Sequence, residues 1–92
     1  MKYLALLTIV DAELNGRVRP DHLRYISALY EQGKVFQAGP FPDGSGGLVI
    51  YHNLDEPDLR ALAEADPVIT SGARTLTWIP WHVLELPIAR ES

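Results

Sequence analysis

The chain has no cysteine among its 92 residues, which excludes a disulfide framework, a thiolate metal cluster and a cysteine nucleophile. Positive charge is in deficit. Twelve acidic against eight basic residues leave a formal charge of −4, the wrong sign for a general nucleic-acid binder. Long apolar runs are also missing, since nothing approaches the ~20 residues that cross a bilayer. What is present is 47% hydrophobic residues, enough for one core, in a chain whose length allows a single domain. Lys2 followed by Tyr3 to Val10 has the look of a signal peptide, with Val10-Asp11-Ala12 as a cleavage pattern. The leader so produced is shorter than the usual roughly 15–30 residues. The expectation is therefore a buried first strand and a cytoplasmic protein.

Tyr3 to Val10 is apolar on both parities, as strands covered on both faces are. Asp11 to Val18 reads as a polar connection containing the turn signal Asn15-Gly16. Pro20 suits the first turn of a helix. Leu23, Ile26, Leu29 and Tyr30 follow at helical spacing and Gly33 ends the run, which predicts a first helix from Pro20 to Gln32. Val35 to Ala38 is a short strand ended by Gly39-Pro40. Phe41 to Gly47 is a hairpin loop, and Leu48 to His52 a third strand. Asp55 is placed to cap a second helix carrying Leu59, Leu62 and Ala63, stopped by Pro67 after Asp66. Thr75 to Leu84 reads as a last strand, interrupted by Pro80. The domain is expected over residues 1–86, with a tail over 87–92 that frays.

This order is the split βαβ, ferredoxin-like pattern: an α+β fold with a four-stranded antiparallel sheet and two helices on one face. Strands one, three and four offer apolar residues to both sides. Leu76 and Trp78, for example, alternate with Ile79, Trp81 and Val83. The second face needs a cover, and another copy of the same sheet is the simplest one, so a homodimer with sheets face to face is expected.

The topology places Arg19, His22, Asp66 and the Gly39–Gly47 loop at one end of the domain, and His52 and His82 near the other. No His-x-x-x-His spacing occurs, so no metal site is expected, and His52 and His82 read as surface or interface residues. His22 lies beside the buried stripe of the first helix and Asp66 extends that of the second. Each is poorly placed for its own charge at that helix end unless the other compensates. A His–Asp pair holds one imidazole tautomer and frees the other ring nitrogen as a general acid or base. Read as structure alone, Asp before Pro is a common helix terminator, and a half-buried His in a first turn can cap backbone groups. The Gly-rich loop lacks the Lys-Ser/Thr ending of a P-loop and reads as a hairpin at a pocket mouth. Ser45 within it has no nucleophile signature. Arg19 is suited to hold a substrate carboxylate or to pair with Asp66.

Arg19-Pro20-Asp21-His22-Leu23-x-Tyr25-Ile26, the Gly33 to Ala38-Gly39-Pro40 strand end, Asp43-Gly44-Ser45-Gly46, the Asp66-Pro67 step and the closing Ile79-Pro80-Trp81 together resemble the YciI-related (YCII) domain family. The likeness runs over nearly the whole chain, in the family's order. It implies a ferredoxin-like subunit of the dimeric α/β barrel superfamily. It also implies a His–Asp centre in a cleft, falling on His22 and Asp66, with Arg19 matching an Arg often found three residues before the His. Members include small-molecule lyases. One departure is Val68-Ile69 after Asp66-Pro67, where the family often has an aromatic or bulky residue, and this bears on the shape of the pocket.

Two functions follow as expectations. In the first, a homodimeric enzyme of lyase or isomerase type uses His22 and Asp66 as general acid/base on a small ring substrate, without a cofactor. Arg19 then holds an anionic group, and Tyr25, Phe41 and Ser45 line the pocket. In the second, the domain is a non-catalytic small-molecule-binding or accessory dimerisation module. A dyad that merely staples the two helices is a third, structural reading. No nucleic-acid or membrane partner is expected.

Overall fold

The apolar run at the N-terminus is the central strand β1 (Lys2–Ile9) of the computed structural model, which describes residues 1–88. The chain continues through α1 (Ala12–Glu31), β2 (Val35–Pro40), β3 (Gly46–Tyr51), α2 (Glu56–Glu64), α3 (Pro67–Thr70) and β4 (Arg74–Trp81). The sheet order is β2-β3-β1-β4, with every neighbouring pair antiparallel. This is the ferredoxin-like arrangement expected from the sequence.

Strand alternation divides the sheet into two faces. Ala5 and Leu7 of β1 and Val49 and Tyr51 of β3 are buried toward the helices, where Leu29 of α1, Leu59 and Ala63 of α2 and Val68 of α3 meet them. Tyr3 stacks on Trp78 at 5.5 Å between ring centroids, and the Trp78 indole donates to Glu56 at 3.0 Å, tying α2 to β4. The register pairs Leu4 with Ile50 and Ile79, and Leu6 with Leu48 and Thr77, on the opposite face. Ile79 and Trp81 are exposed there, as is Phe36 at the bulge of β2. No helix is long and apolar enough to cross a membrane among the described residues.

Several expectations are corrected by the structure, among them β3, which runs Gly46–Tyr51 rather than Leu48 to His52. Helix α1 begins at Ala12 rather than Pro20, capped by Asp11, whose carboxylate accepts from the Leu14 N–H at 3.0 Å. The supposed connection is therefore two helical turns, and Pro20 sits inside the helix. Its ring removes the hydrogen bond that would reach the Gly16 carbonyl, and packing sustains the helix across the gap. Pro67 does not end the second helix but opens α3, a third, single-turn helix. Strand β2 runs two residues further than expected, to Pro40. Finally, β4 stops at Trp81 and excludes His82 to Leu84, because Trp81 already pairs with Lys2, the first residue of β1. Part of the expected 87–92 tail, residues 89–92, lies outside the described residues.

The loop between β2 and β3 is held tightly at its second end. Gly46 has φ +152°, and a Cβ there would lie 1.9 Å from the Leu7 carbonyl oxygen. Glycine is required at this point because the backbones of β1 and β3 touch.

Candidate active site

Helix α1 buries Asn15, His22 and Leu29, one residue every two turns along a single line. Two of these three are polar, and each has a partner. His22 Nδ1 lies 2.9 Å and 2.7 Å from the two carboxylate oxygens of Asp66. Asp66 is 0% exposed and His22 5%. An ionised carboxylate only accepts, so Nδ1 carries the hydrogen and donates to it. The same carboxylate accepts from the Val68 N–H at 3.1 Å, capping α3. Asp66 is thus not stranded at a helix C-terminus, as the sequence suggested. It occupies an N-cap, where partial positive charge favours a carboxylate.

Nε2 of His22 has no hydrogen-bond partner among the described residues, and no buried side-chain nitrogen or oxygen lacks one. Nε2 therefore keeps its access to the cavity that His22 lines. That cavity measures about 150 Å³. Arg19, His22 and Arg74 are its charged or polar lining, Leu7, Leu23 and Ile26 are apolar, and the strand residues Ala38 to Pro40 and Gly47 to Val49 complete it. A cavity of roughly this volume holds one six-membered ring.

The electrostatics converge on Asp66. Burial pushes the Tyr25 hydroxyl above its ordinary value, and the Asp66 charge adds to the shift. Tyr51 is raised by burial first and then by Asp66 and Tyr25. Burial pulls the Arg74 guanidinium down, against the attraction of Asp66 and together with the repulsion of Arg19.

The other anticipated residues are distributed differently. Arg19 is exposed at the cavity wall and makes no ion pair with Asp66 among the described residues. Tyr25 is outside the cavity lining, and its hydroxyl donates to the Leu62 carbonyl at 2.7 Å, joining α1 to α2. Phe41 lines an adjoining open groove of about 990 Å³ between α1 and β2. Tyr30 and Glu31 are the ionisable residues along that groove, whereas His22, Arg19 and Arg74 line the smaller cavity. Ser45 sits in the exposed loop, where its N–H donates to Asp43 at 2.9 Å. His52, half-buried beyond β3, approaches Lys2 Nζ at 3.4 Å.

The model of the YCII-related domain matches residues 1–82. The chain belongs to the YCII-related domain family. The uncharacterized protein YjpA of Bacillus subtilis is 24% identical over 78 residues, covering 85% of this chain and 92% of that protein. Among solved structures, the fold is similar to 5-chloro-2-hydroxyhydroquinone dehydrochlorinase from Burkholderia phenoliruptrix in complex with 2,5-dihydroxybenzoquinone. The TM-score is 0.74 at 18% identity, over 89% of this chain and 94% of that one. The two chains thus share the ferredoxin-like fold.

Within this YCII-related domain, Arg74 stood out in no sequence motif, and Asn15 stood only in a turn signal. Both are 8% exposed, and Arg74 Nε donates to Asn15 Oδ1 at 2.7 Å. The available signal was an arginine opening a strand that is otherwise apolar and β-branched, which is costly to bury without a partner. Val68, the departure from the family pattern, is buried in the core, and neither it nor Ile69 lines the cavity.

Proposed function

We propose that this YCII-related chain is a small-molecule enzyme of lyase or isomerase type, in which His22, oriented by Asp66, moves a proton on a single-ring oxygenated substrate. The observation that carries this reading is the buried Nδ1–carboxylate contact of 2.7 Å, with Nε2 left toward a ring-sized cavity. A neutral imidazole so held is a base at Nε2, and the imidazolium formed on proton uptake is stabilised by Asp66. In the step we envisage, Nε2 takes a ring hydroxyl proton and a proton is delivered to a ring carbon, giving the keto tautomer. A second ring hydroxyl then gives up its proton as a leaving group departs from that carbon with its bonding electron pair, which leaves a quinone-type ring and completes an elimination. Without a leaving group, the same proton movement is an isomerisation. The base alone suffices for either course. Arg19 holds an anionic group of the substrate at the cavity wall. The activity named for the structural neighbour, a dehydrochlorinase acting on a hydroxylated ring, supports the reaction class.

The enzyme acts as a homodimer in this reading, a second sheet covering Leu4, Leu6, Ile50, Ile79 and Trp81. The test is chloride release from 5-chloro-2-hydroxyhydroquinone and related hydroxylated rings. Asp66→Asn is expected to fold and to lower turnover by about 10²-fold or more. In parallel, ¹⁵N NMR of His22 should report the Nδ1–H tautomer in the native protein and a mixture in the variant. Full turnover in Asp66→Asn overturns the assignment. If His22→Ala leaves every ligand interaction unchanged as well, the chain is a binding or dimerisation module.

A further inference from the structure

Arg74 opens β4 on the helix-facing side of the sheet, opposite Ile9, and its side chain reaches the cavity that His22 lines. It is 8% exposed, yet it forms no ion pair among the described residues. A guanidinium cannot shed its proton to escape burial, and a buried cation without a partner is costly. Among the described residues only Nε is satisfied, by Asn15 Oδ1 at 2.7 Å. Asn15 is itself buried, two turns before His22 on the same line of α1. Since no buried side-chain nitrogen is left unpartnered among the described residues, the two terminal nitrogens, Nη1 and Nη2, remain accessible at the cavity wall. With Nε taken, the edge they present is the end-on fork, which matches the two oxygens of a carboxylate.

Charge points the same way. Arg19 lines the same cavity and is close enough to Arg74 to act on its ionisation, as is Asp66. With His22 neutral, two guanidinium charges face one carboxylate, a local surplus of positive charge in a chain whose formal charge is −4. The cavity therefore attracts an anion that the rest of the molecule repels.

We propose that Arg74, held by Asn15 and assisted by Arg19, is the anion-recognition residue of this cavity, and that the site takes a single-ring carboxylate. This rests on the reading of the His22 cavity as the ligand site and names the substrate class for it. The carboxylate lies on the Nη edge of Arg74, which leaves the ring against Leu7, Leu23 and Ile26 and within reach of His22 Nε2. Arg74 is in this respect a specificity determinant, separate from the His22–Asp66 pair that moves protons.

The probes are benzoate and its neutral isostere benzamide, titrated into ¹⁵N-labelled protein. Benzoate is expected to bind about tenfold or more tightly than benzamide, shifting the His22 ring and Arg74 Nε resonances. Arg74→Gln should abolish that preference, and Asn15→Leu should reduce it. Arg60→Gln, on the exposed side of α2, should preserve it. Should Arg74→Gln fail to fold, the Arg74 Nε–H resonance of the native protein decides: it moves with benzoate and not with benzamide if the inference is right. Equal affinity for the two probes, or benzoate binding untouched in a folded Arg74→Gln protein, overturns it. The titration is repeated in Asp66→Asn. Preference for benzoate retained there, with no turnover found for any substrate of the native protein, removes the enzyme reading and leaves the anion site standing. If benzoate shifts neither His22 nor Arg74, the cavity is not the ligand site and both fall.

Discussion

Asp66 serves two donors with one buried carboxylate, the His22 ring and the Val68 N–H. Asparagine keeps an oxygen for Val68 while removing the charge that His22 meets. Alanine removes the cap and leaves a buried imidazole N–H without an acceptor. The expected loss of stability is about 1 kcal/mol for Asp66→Asn and about 2–4 kcal/mol for Asp66→Ala, read from urea unfolding at constant m-value. Equal losses would mean that the Val68 cap contributes nothing. At this scale His22, Asp66 and Arg19 were legible because each sits in a short, recognisable stretch: a helix stripe, an Asp-Pro step, an Arg one turn before a His. Asn15 was misread for an equally local reason. Asn-Gly is a strong turn signal, and only a partner 59 residues away makes it helical.

Among the elements, α1 departs furthest from its expected form. Its 20 residues include Pro20, whose ring both deletes a backbone hydrogen bond and restricts Arg19 before it. The helix survives because Asp11 caps its start and because Asn15, Val18 and His22 are anchored on either side of the proline. Pro20→Ala restores the missing N–H and is expected to stabilise the protein by about 1–3 kcal/mol, offset in part by the freer unfolded chain. Thermal and urea unfolding measure the gain, and a destabilised variant would mean that the proline is itself adapted to its place. Strands were easier to read than this helix. Their short apolar runs between turn residues are local signals, whereas where a helix begins depends on which of several caps and breakers the packing favours. The end of β4 illustrates the same limit. His82 and Val83 have strand-like neighbours, but β1 supplies no residue for them to pair with.

At the scale of the whole molecule, the sheet face turned away from the helices carries Leu4, Leu6, Ile50, Ile79 and Trp81, with Lys2, Phe36 and His52 clustered at one corner. Lys2 Nζ lies 4.4 Å from the centre of the Phe36 ring. Burial lowers the His52 pKa from 6.5 and the Lys2 charge lowers it further. The folded chain thus holds this proton less tightly than the unfolded chain. Stability contributed at this corner is present above about pH 6.5 and declines as pH falls through that value, where the unfolded chain takes up the proton first. A second sheet over the face would deepen the effect, since it buries the same corner. Sedimentation at micromolar concentration is expected to give a dimer near neutral pH that weakens at mildly acidic pH. His52→Gln should weaken less over the same range. A monomer under all these conditions would remove the covered-face argument, and pH-independent association would remove His52 from it.

The chain's short apolar runs, breakers and caps determine by themselves that there are four strands, that helices cover one face, and that the other face is apolar. They also bring His22 and Asp66 to one end, because strand lengths and short connections leave little freedom in where elements terminate. Tertiary structure alone decided the rest. Arg74 meets Asn15 across the sheet-to-helix gap, Tyr25 turns away to the Leu62 carbonyl, and Asp66 becomes a cap rather than a terminus. The physical reason is the same in each case. A polar group leaving water must find its partner wherever the fold puts one, and sequence patterns record burial without recording the partner.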